Sequence, residues 1–139
     1  MKRVAGIGGL FFKSDNPEKI RKWYSNHLGI KMQDQHRAVF TWGKEGTEEK
    51  GSPVWSPFKK TTTYFQPSEK EFMFNYRDDN LEALLAVLKE KGVQIVGEME
   101  VYEYGKFGWI MDPEGNKIEL WESVDVEFNK INNSTNTSS

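Results

Sequence analysis

The sequence has no cysteine, no long apolar run and no excess of charge of one sign. Without cysteine, a disulfide, a thiolate metal site and a thiol nucleophile are all excluded. The 19 basic and 21 acidic residues give a net charge of -2, which provides no broad basic surface for nucleic acid or anionic lipid. No window approaches the ~20 apolar residues of a membrane-spanning helix, and the N-terminus has no signal-peptide pattern. We therefore expect a cytoplasmic protein that binds small molecules rather than nucleic acid or membranes.

The length of 139 residues fits one domain with a single core. Apolar periodicity continues to about residue 123, and the remainder of the chain becomes polar. A polar segment buries too little apolar surface to offset the entropy lost on ordering. We predict a single domain at 1–123 and a disordered tail at 124–139.

Two segments of the domain repeat one another in order and spacing. Each has an apolar strand, an Asp/Asn cap, a helical stretch and a glycine that ends the helix. Asp15 and Gly29 are separated by 14 positions, as are Asp78 and Gly92. This agreement indicates that one structural unit occurs twice.

Short strand-like runs follow each of these glycines, and in the first half they begin with Lys31–Gln33. Near the end, Asp112–Asn116 has proline and glycine where a tight turn needs them, which predicts a hairpin. Before that hairpin, Val101–Gly108 is predicted to be a loop. Each half is thus a β-α-β-β-β module. Module one spans about 4–57, a polar connector 58–70 and module two about 71–123.

Both predicted helices have one apolar face, since apolar residues recur at helical spacing. In the first helix these residues are Ile20, Trp23, Tyr24, His27 and Leu28. In the second they are Leu81, Leu84, Leu85 and Leu88. Each apolar face is expected to pack on a sheet, so the fold class is α+β, and packing rather than chemistry accounts for His27.

The closing segment Asp112–Trp121, after the doubled β-α-β-β-β pattern, resembles the last hairpin of the glyoxalase/bleomycin-resistance/extradiol dioxygenase proteins, the vicinal oxygen chelate superfamily. The resemblance covers roughly residues 4–122. It implies two β-α-β-β-β modules that form a glyoxalase-like half-barrel pair around a central cleft, and it favours a homodimer. The pattern is specific for the fold but not for the reaction, because the superfamily contains isomerases, lyases, dioxygenases and binding proteins.

In metal-dependent members of that superfamily, four cleft-facing positions hold a divalent ion through His, Gln or Glu side chains. By resemblance, these positions fall on Gly9, Trp55, Met73 and Glu119. Only Glu119 is a suitable ligand, and a register one residue different would substitute Gly8 or Phe72, which are not. The remaining histidine, His36, is expected in an exposed turn. We therefore expect no metal cofactor, with a divalent ion bound through Glu119 as the alternative.

Strand alternation predicts which side chains face the cleft. The candidate ligand-binding residues are Phe11, Trp55, Met73, Asn75, Arg77, Trp109, Glu119 and Trp121. Burial would raise the pKa of Glu119, which makes this residue the candidate catalytic base or an anchor for a cationic group. Arg77 is its predicted charge partner.

Three functions are compatible with these residues. The first is binding of an unidentified small, partly aromatic or cationic molecule without metal, in the manner of bleomycin-resistance proteins. The second is a divergent lyase or isomerase, lactoylglutathione-lyase-like or dioxygenase-like, that uses Glu119 as base or metal ligand. The third is a non-catalytic structural or interaction module whose cleft is filled by its own side chains.

Overall fold

The computed structural model describes residues 4–40 and 53–124, so the predicted tail lies outside the described residues except for Val124. The elements are, in chain order, β1 (Val4–Ser14), α1 (Pro17–Leu28), β2 (Ala38–Val39), β3 (Val54–Lys59), β4 (Phe72–Asp78), α2 (Leu81–Glu90), β5 (Ile95–Tyr102), β6 (Gly105–Met111) and β7 (Lys117–Ser123). The predicted α+β class is confirmed. Within the described ranges, no helix is long and apolar enough to cross a membrane.

All seven strands form one sheet in the order β2-β3-β1-β4-β7-β6-β5. In each module the first strand pairs in parallel with the last, β1 with β3 and β4 with β7. The two modules meet where β1 runs antiparallel to β4. The doubled arrangement predicted from the repeat is therefore confirmed, with the module boundary at the centre of a continuous sheet.

Helix α2 packs tightly on the second module. The Asn80 side chain caps its N-terminus by accepting a hydrogen bond from the Ala83 N–H at 3.2 Å. Glu122 on β7 accepts a second bond from the Leu81 N–H at 2.8 Å, which ties the helix to the sheet. Leu81 and Leu84 are 0% and 2% exposed and pack against β6 and β7. The predicted leucine stripe thus forms the core of this module.

Helix α1 is also capped, since the Asn16 side chain accepts from the Lys19 N–H at 3.1 Å and Gly29 ends the helix with a φ of 68°. However, none of its residues, all of which the structure describes, is buried. Only part of the predicted apolar face packs, because Tyr24 contacts the sheet whereas Leu28 is 60% exposed. His27 is exposed too, with its ring beside that of Trp23.

The predicted Asp/Asn caps are confirmed as Asn16 and Asn80, which follow Asp15 by one residue and Asp78 by two, so the caps of the two repeats are offset by one position. Two other local predictions are wrong. The run Lys31–Gln33 contributes a single bridge from Met32 instead of a strand. The predicted loop Val101–Gly108 is the turn and flanking strand of a hairpin, because β5 and β6 pair up to Tyr102 and Gly105.

Candidate functional site

A cavity of about 520 Å³ lies on the face of the sheet opposite α2. Its wall includes Phe11 of β1, Ser56 of β3, Asn75 of β4 and Glu119 of β7. These strands belong to both modules, so the sheet curls around the cavity at the module boundary. On β7 the parity is clear, since Glu119 faces the cavity and its neighbour Leu120 packs under α2.

The carboxylate of Glu119 is buried, with the residue 2% exposed, and accepts three hydrogen bonds. Asn75 Nδ2 donates to Oε1 at 2.6 Å, and Trp109 Nε1 donates to Oε2 at 2.9 Å. The Tyr64 hydroxyl also donates to Oε2. Hydrogen bonds to an ionised acceptor are stronger than those between neutral groups, so these donors stabilise the charged carboxylate at a buried position.

Electrostatics at Glu119 reflects opposing effects. Burial raises its pKa, whereas the hydrogen bonds from Tyr64, Trp109 and Asn75 and the charge of Lys117 lower it, and the net direction is upward. Lys117 Nζ donates to the Tyr64 carbonyl at 2.6 Å and lies 5.2 Å from the centroid of the Tyr64 ring. Burial lowers the pKa of Lys117, and burial together with Glu119 raises that of Tyr64. Burial therefore works against the charged forms of Glu119 and Lys117, and the raised pKa of Tyr64 keeps its hydroxyl protonated as a donor to Glu119.

Asn75 connects this buried network to the cavity. The residue is 1% exposed, and its Oδ1 has no hydrogen-bond partner among residues 4–40 and 53–124. Opposite it lies Gly8, where an added Cβ would stand 2.1 Å from Asn75 Oδ1. A side chain at position 8 would collide with the amide, so the close approach of β1 and β4 here requires glycine.

An aromatic wall borders the cavity on the second module. Phe107 and Trp121 stack with centroids 5.7 Å apart and an interplanar angle of 8°. Tyr104 meets Phe107 edge-on at 6.0 Å. Arg77 places its guanidinium 5.3 Å from the Trp121 centroid and donates to the Ser123 hydroxyl. Trp121 is 3% exposed, so the protein's own side chains make most of its contacts.

The structure brings four of the eight candidate ligand-binding residues into the cavity wall, namely Phe11, Asn75, Glu119 and Trp121. Met73 and Trp109 lie behind the wall in a buried cluster with Phe65. Arg77 covers Trp121, and the cation whose charge acts on Glu119 is Lys117. Strand alternation therefore placed most candidates on the cavity side of the sheet, but it did not distinguish residues that line the cavity from residues buried behind its wall.

Trp55 lies on the helix side of the sheet instead of in the cleft. Its ring packs against Tyr24 of α1 and Phe12 of β1, with centroids 4.9 Å and 5.4 Å away. Its neighbours Val54 and Ser56 line the cavity, as the alternation of side chains along a strand requires.

Sequence reasoning missed the contribution of the connector. Tyr64 reaches Glu119, and Phe65 is 0% exposed against Met73 and Trp109. The available signal was aromatic residues in this mainly polar connector, namely Phe58, Tyr64 and Phe65. His36, predicted in an exposed turn, is exposed as expected and also borders the cavity.

The described side chains do not fit the divalent ion that some members of the resembled superfamily bind. Among residues 4–40 and 53–124, no three His, Asp or Glu side chains lie close enough together to hold a metal. The oxygens of Glu119 face N–H and O–H hydrogens from Asn75, Trp109 and Tyr64. A cation at these oxygens would have to displace those donors.

These observations define a two-module α+β protein with a ligand-sized cleft at its module boundary. Residues 7–120 match the model of the Glyoxalase/Bleomycin resistance protein/Dioxygenase superfamily, and the chain belongs to that superfamily. A comparison with curated proteins gives no match.

Three solved structures illustrate the shared fold. Methylmalonyl-CoA epimerase from Mycobacterium tuberculosis is 18% identical, with a TM-score of 0.54 over 87% of this chain and 89% of that one. A variant of the Streptomyces coelicolor methylmalonyl-CoA epimerase, in complex with 2-nitronate-propionyl-CoA, is 13% identical, with a TM-score of 0.64 over 87% and 99%. A superfamily member from Vibrio splendidus 12B01 is 11% identical, with a TM-score of 0.54 over 88% and 98%.

Proposed function

We propose that this chain is a cytoplasmic binding protein that holds a small, partly aromatic or cationic molecule in the cavity without a metal ion. The observation that carries the proposal is the carboxylate of Glu119, which borders a cavity of about 520 Å³ while three donors of the chain hold its oxygens. Held in this way, it supplies a fixed negative charge near the ligand rather than a metal ligand. Neither nucleic acid nor membrane is part of the proposal.

The cavity has the size and lining of a small-molecule site. Such sites commonly measure about 300–1,000 Å³ and combine apolar walls with a few polar groups. Here Phe11, Phe58 and Phe107 supply apolar wall, and its buried polar residues are Ser56, Asn75 and Glu119. A cation beside aromatic faces gains about 0.5–2 kcal/mol per contact, and a nearby carboxylate favours it further.

The proposal is tested by calorimetric titration with three matched probes: phenethylamine, phenylacetate and 2-cyclohexylethylamine. We expect phenethylamine to bind more tightly than either other probe, because it alone combines an aromatic ring with a cation. Glu119→Gln should remove most of the preference for the amine over phenylacetate. Glu114→Gln, which neutralises an exposed carboxylate in the β6–β7 turn, serves as the control and should retain it. Absence of binding by all three probes would contradict the proposal.

A separate measurement tests whether the protein binds a divalent metal. Samples of the purified protein are each dialysed against one divalent ion, Ni, Co, Zn, Mn or Fe, and then against buffer. The metal that remains bound is then measured. We expect far less than one equivalent of each. A stoichiometric metal that Glu119→Gln abolishes and Glu114→Gln retains would show instead that Glu119 is a metal ligand.

The alternative function is a lyase or isomerase, lactoylglutathione-lyase-like or dioxygenase-like, with Glu119 as general base. The raised pKa of Glu119 favours it, because a base is most effective when its pKa approaches the working pH. In an enzyme, Glu119→Gln would lower turnover far more than binding. Equal losses in both would favour the binding protein.

The third candidate is a structural module with a self-filled cleft, and the cluster of Phe65, Met73 and Trp109 favours it for part of the cleft. In that case phenethylamine would leave the fluorescence of the buried tryptophans unchanged at every concentration.

A further inference from the structure

We infer that Asn75 is a specificity-determining residue of the cavity, and that the ligand presents an N–H or O–H donor to Asn75 Oδ1. The inference rests on the proposed binding function and adds the hydrogen-bonding character of the ligand. It depends on three features of the structure: the fixed orientation of one amide, an acceptor without a partner, and the close approach of that acceptor to one glycine.

Glu119 fixes the orientation of the Asn75 amide. An ionised carboxylate only accepts hydrogen bonds, so the amide must turn its Nδ2 toward Glu119, as observed at 2.6 Å. Trp109 and Tyr64 occupy the other carboxylate oxygen, which leaves Oε1 to Asn75. The opposite end of the amide, the acceptor Oδ1, is thereby directed away from Glu119.

That acceptor lacks a partner where water is scarce. Asn75 is 1% exposed, it borders the cavity, and no residue within 4–40 or 53–124 donates to its Oδ1. Buried polar groups in folded proteins are nearly always hydrogen-bonded, and an orphan among them commonly marks a function. A donor on a bound ligand would satisfy it.

Gly8 allows this acceptor to take its position in the cavity wall, because the amide oxygen lies where a side chain at position 8 would begin. A Cβ at that position would lie 2.1 Å from Asn75 Oδ1 and 2.9 Å from Arg77 Cγ. Gly6, on the same strand, has nothing within 4 Å of its own added Cβ. The two glycines therefore form a matched pair, in which a side chain would displace the amide oxygen at Gly8 but not at Gly6.

The class of ligand follows from this chemistry. An amide oxygen accepts from pyrrole-type N–H, amine, amide N–H or hydroxyl groups, and it repels ethers, carbonyls and carboxylates, which present lone pairs. Burial increases the preference for ligands with a donor, because a ligand that leaves the acceptor unsatisfied loses a hydrogen bond that water cannot replace. The cavity should therefore select aromatic molecules with a donor edge.

The test compares indole with benzofuran, which have nearly the same shape but differ in an N–H against a ring oxygen. Calorimetric titration of the wild-type protein should show indole binding about fivefold or more tightly, as one hydrogen bond to a buried acceptor provides. Gly6→Ala should retain this preference. Gly8→Ala should reduce it to below about twofold, because the new methyl group would collide with Asn75 Oδ1 and displace the acceptor from its position.

A second measurement does not depend on any variant of Gly8. Side-chain amide signals of Asn75, assigned through their loss in Asn75→Ala, should shift in a nitrogen–proton correlation spectrum on addition of indole and much less on addition of benzofuran. Equal affinity for the two probes, or an indole preference that leaves these signals unmoved, would overturn the inference and leave the binding function standing. Failure of indole and benzofuran to bind, while phenethylamine still binds, would overturn the inference alone; failure of phenethylamine as well would overturn the binding function with it.

Discussion

At the scale of a single residue, the burial of Glu119 makes the stability of the folded protein depend on pH. Its pKa in the folded protein is raised above the ordinary value of 4.5, so the folded state binds the proton more tightly than the unfolded state does. The stability contributed by the protonated group is thus complete below 4.5 and is lost as the pH rises through the raised pKa. Above that pKa, the hydrogen bonds from Asn75, Trp109 and Tyr64 and the charge of Lys117 stabilise the carboxylate.

We expect Glu119→Gln to remove this pH dependence. Urea unfolding of the wild type and the variant, from about pH 4 to about pH 8, should show that the stability of the wild type relative to the variant decreases as pH rises. The Glu114→Gln control should follow the wild-type profile. A relative stability that increases with pH would mean that the donors outweigh burial and that the pKa of Glu119 is lowered.

Tyr64→Phe should show how much one of the three donors contributes to the pKa of Glu119. Because the tyrosine hydroxyl lowers the pKa of Glu119, its removal should move the carboxyl titration to higher pH, measured by carbon NMR of the Glu119 side chain. A hydrogen bond to a charged group contributes about 2 kcal/mol, which is the expected loss of stability near neutral pH. Tyr104→Phe removes a hydroxyl from the same cavity and should change neither quantity. An unchanged titration in Tyr64→Phe would contradict the assigned bond.

The site could be predicted in part, because strand alternation is a local property of the chain. It correctly placed Asn75, Glu119 and Trp121 on the cavity face. It could not predict that Tyr64 reaches Glu119, since the path of a connector has no periodicity. Trp55 was assigned to the cleft from a family position, although strand parity with its cavity-lining neighbours puts it under α1.

At the scale of elements, the two helices differ in how strongly they are held. Leu84 of α2 is 2% exposed, whereas Leu28 of α1 is 60% exposed. Leu84→Ala should therefore cost about 2–5 kcal/mol by leaving a cavity in the core, and Leu28→Ala less than about 1 kcal/mol. Chemical denaturation of both variants checks this difference. Similar losses would show that α1 packs as tightly as α2.

Hydrogen exchange gives an independent view of the same contrast. Amide protection follows local stability. The amides of α2 should therefore exchange slowly, only when the whole protein unfolds, whereas those of α1 should exchange faster through local opening of the helix. The strands β4, β6 and β7 should join the slow group, since α2 packs on that module. Equal protection in both helices would contradict this expectation.

Helix positions were predictable from caps and glycines, whereas helix packing was not. The leucines of α2 lie on one face, and all of them pack against the sheet. The mixed face of α1 has the same periodicity, yet Trp23 and Leu28 remain exposed. Periodicity specifies which side of a helix is apolar, but the partner surface depends on strands distant in sequence, and β2 of the first module has only two residues.

At the scale of the whole molecule, the sheet has an apolar strip on its helix side where the two modules meet. Leu10 of β1 and Phe74 of β4 are register partners there, and they are 44% and 41% exposed. Phe72, stacked on Phe74 with centroids 5.1 Å apart, is 38% exposed. Contiguous apolar surface of this kind is uncommon on a monomer and typical of an interface.

We expect a second copy of the chain to cover this strip, which gives the homodimer that the sequence resemblance favours. In a twofold dimer the same patch meets itself, so an apolar strip on the central strands suits such pairing. Sedimentation equilibrium should show a dimer for the wild type and mainly monomer for Phe74→Ser, because the serine hydroxyl would be buried without a partner. Val101→Ser, at a 63% exposed position on β5 away from the strip, should remain dimeric. A monomeric wild type, or a dimer unaffected by Phe74→Ser, would show that this strip is not the interface.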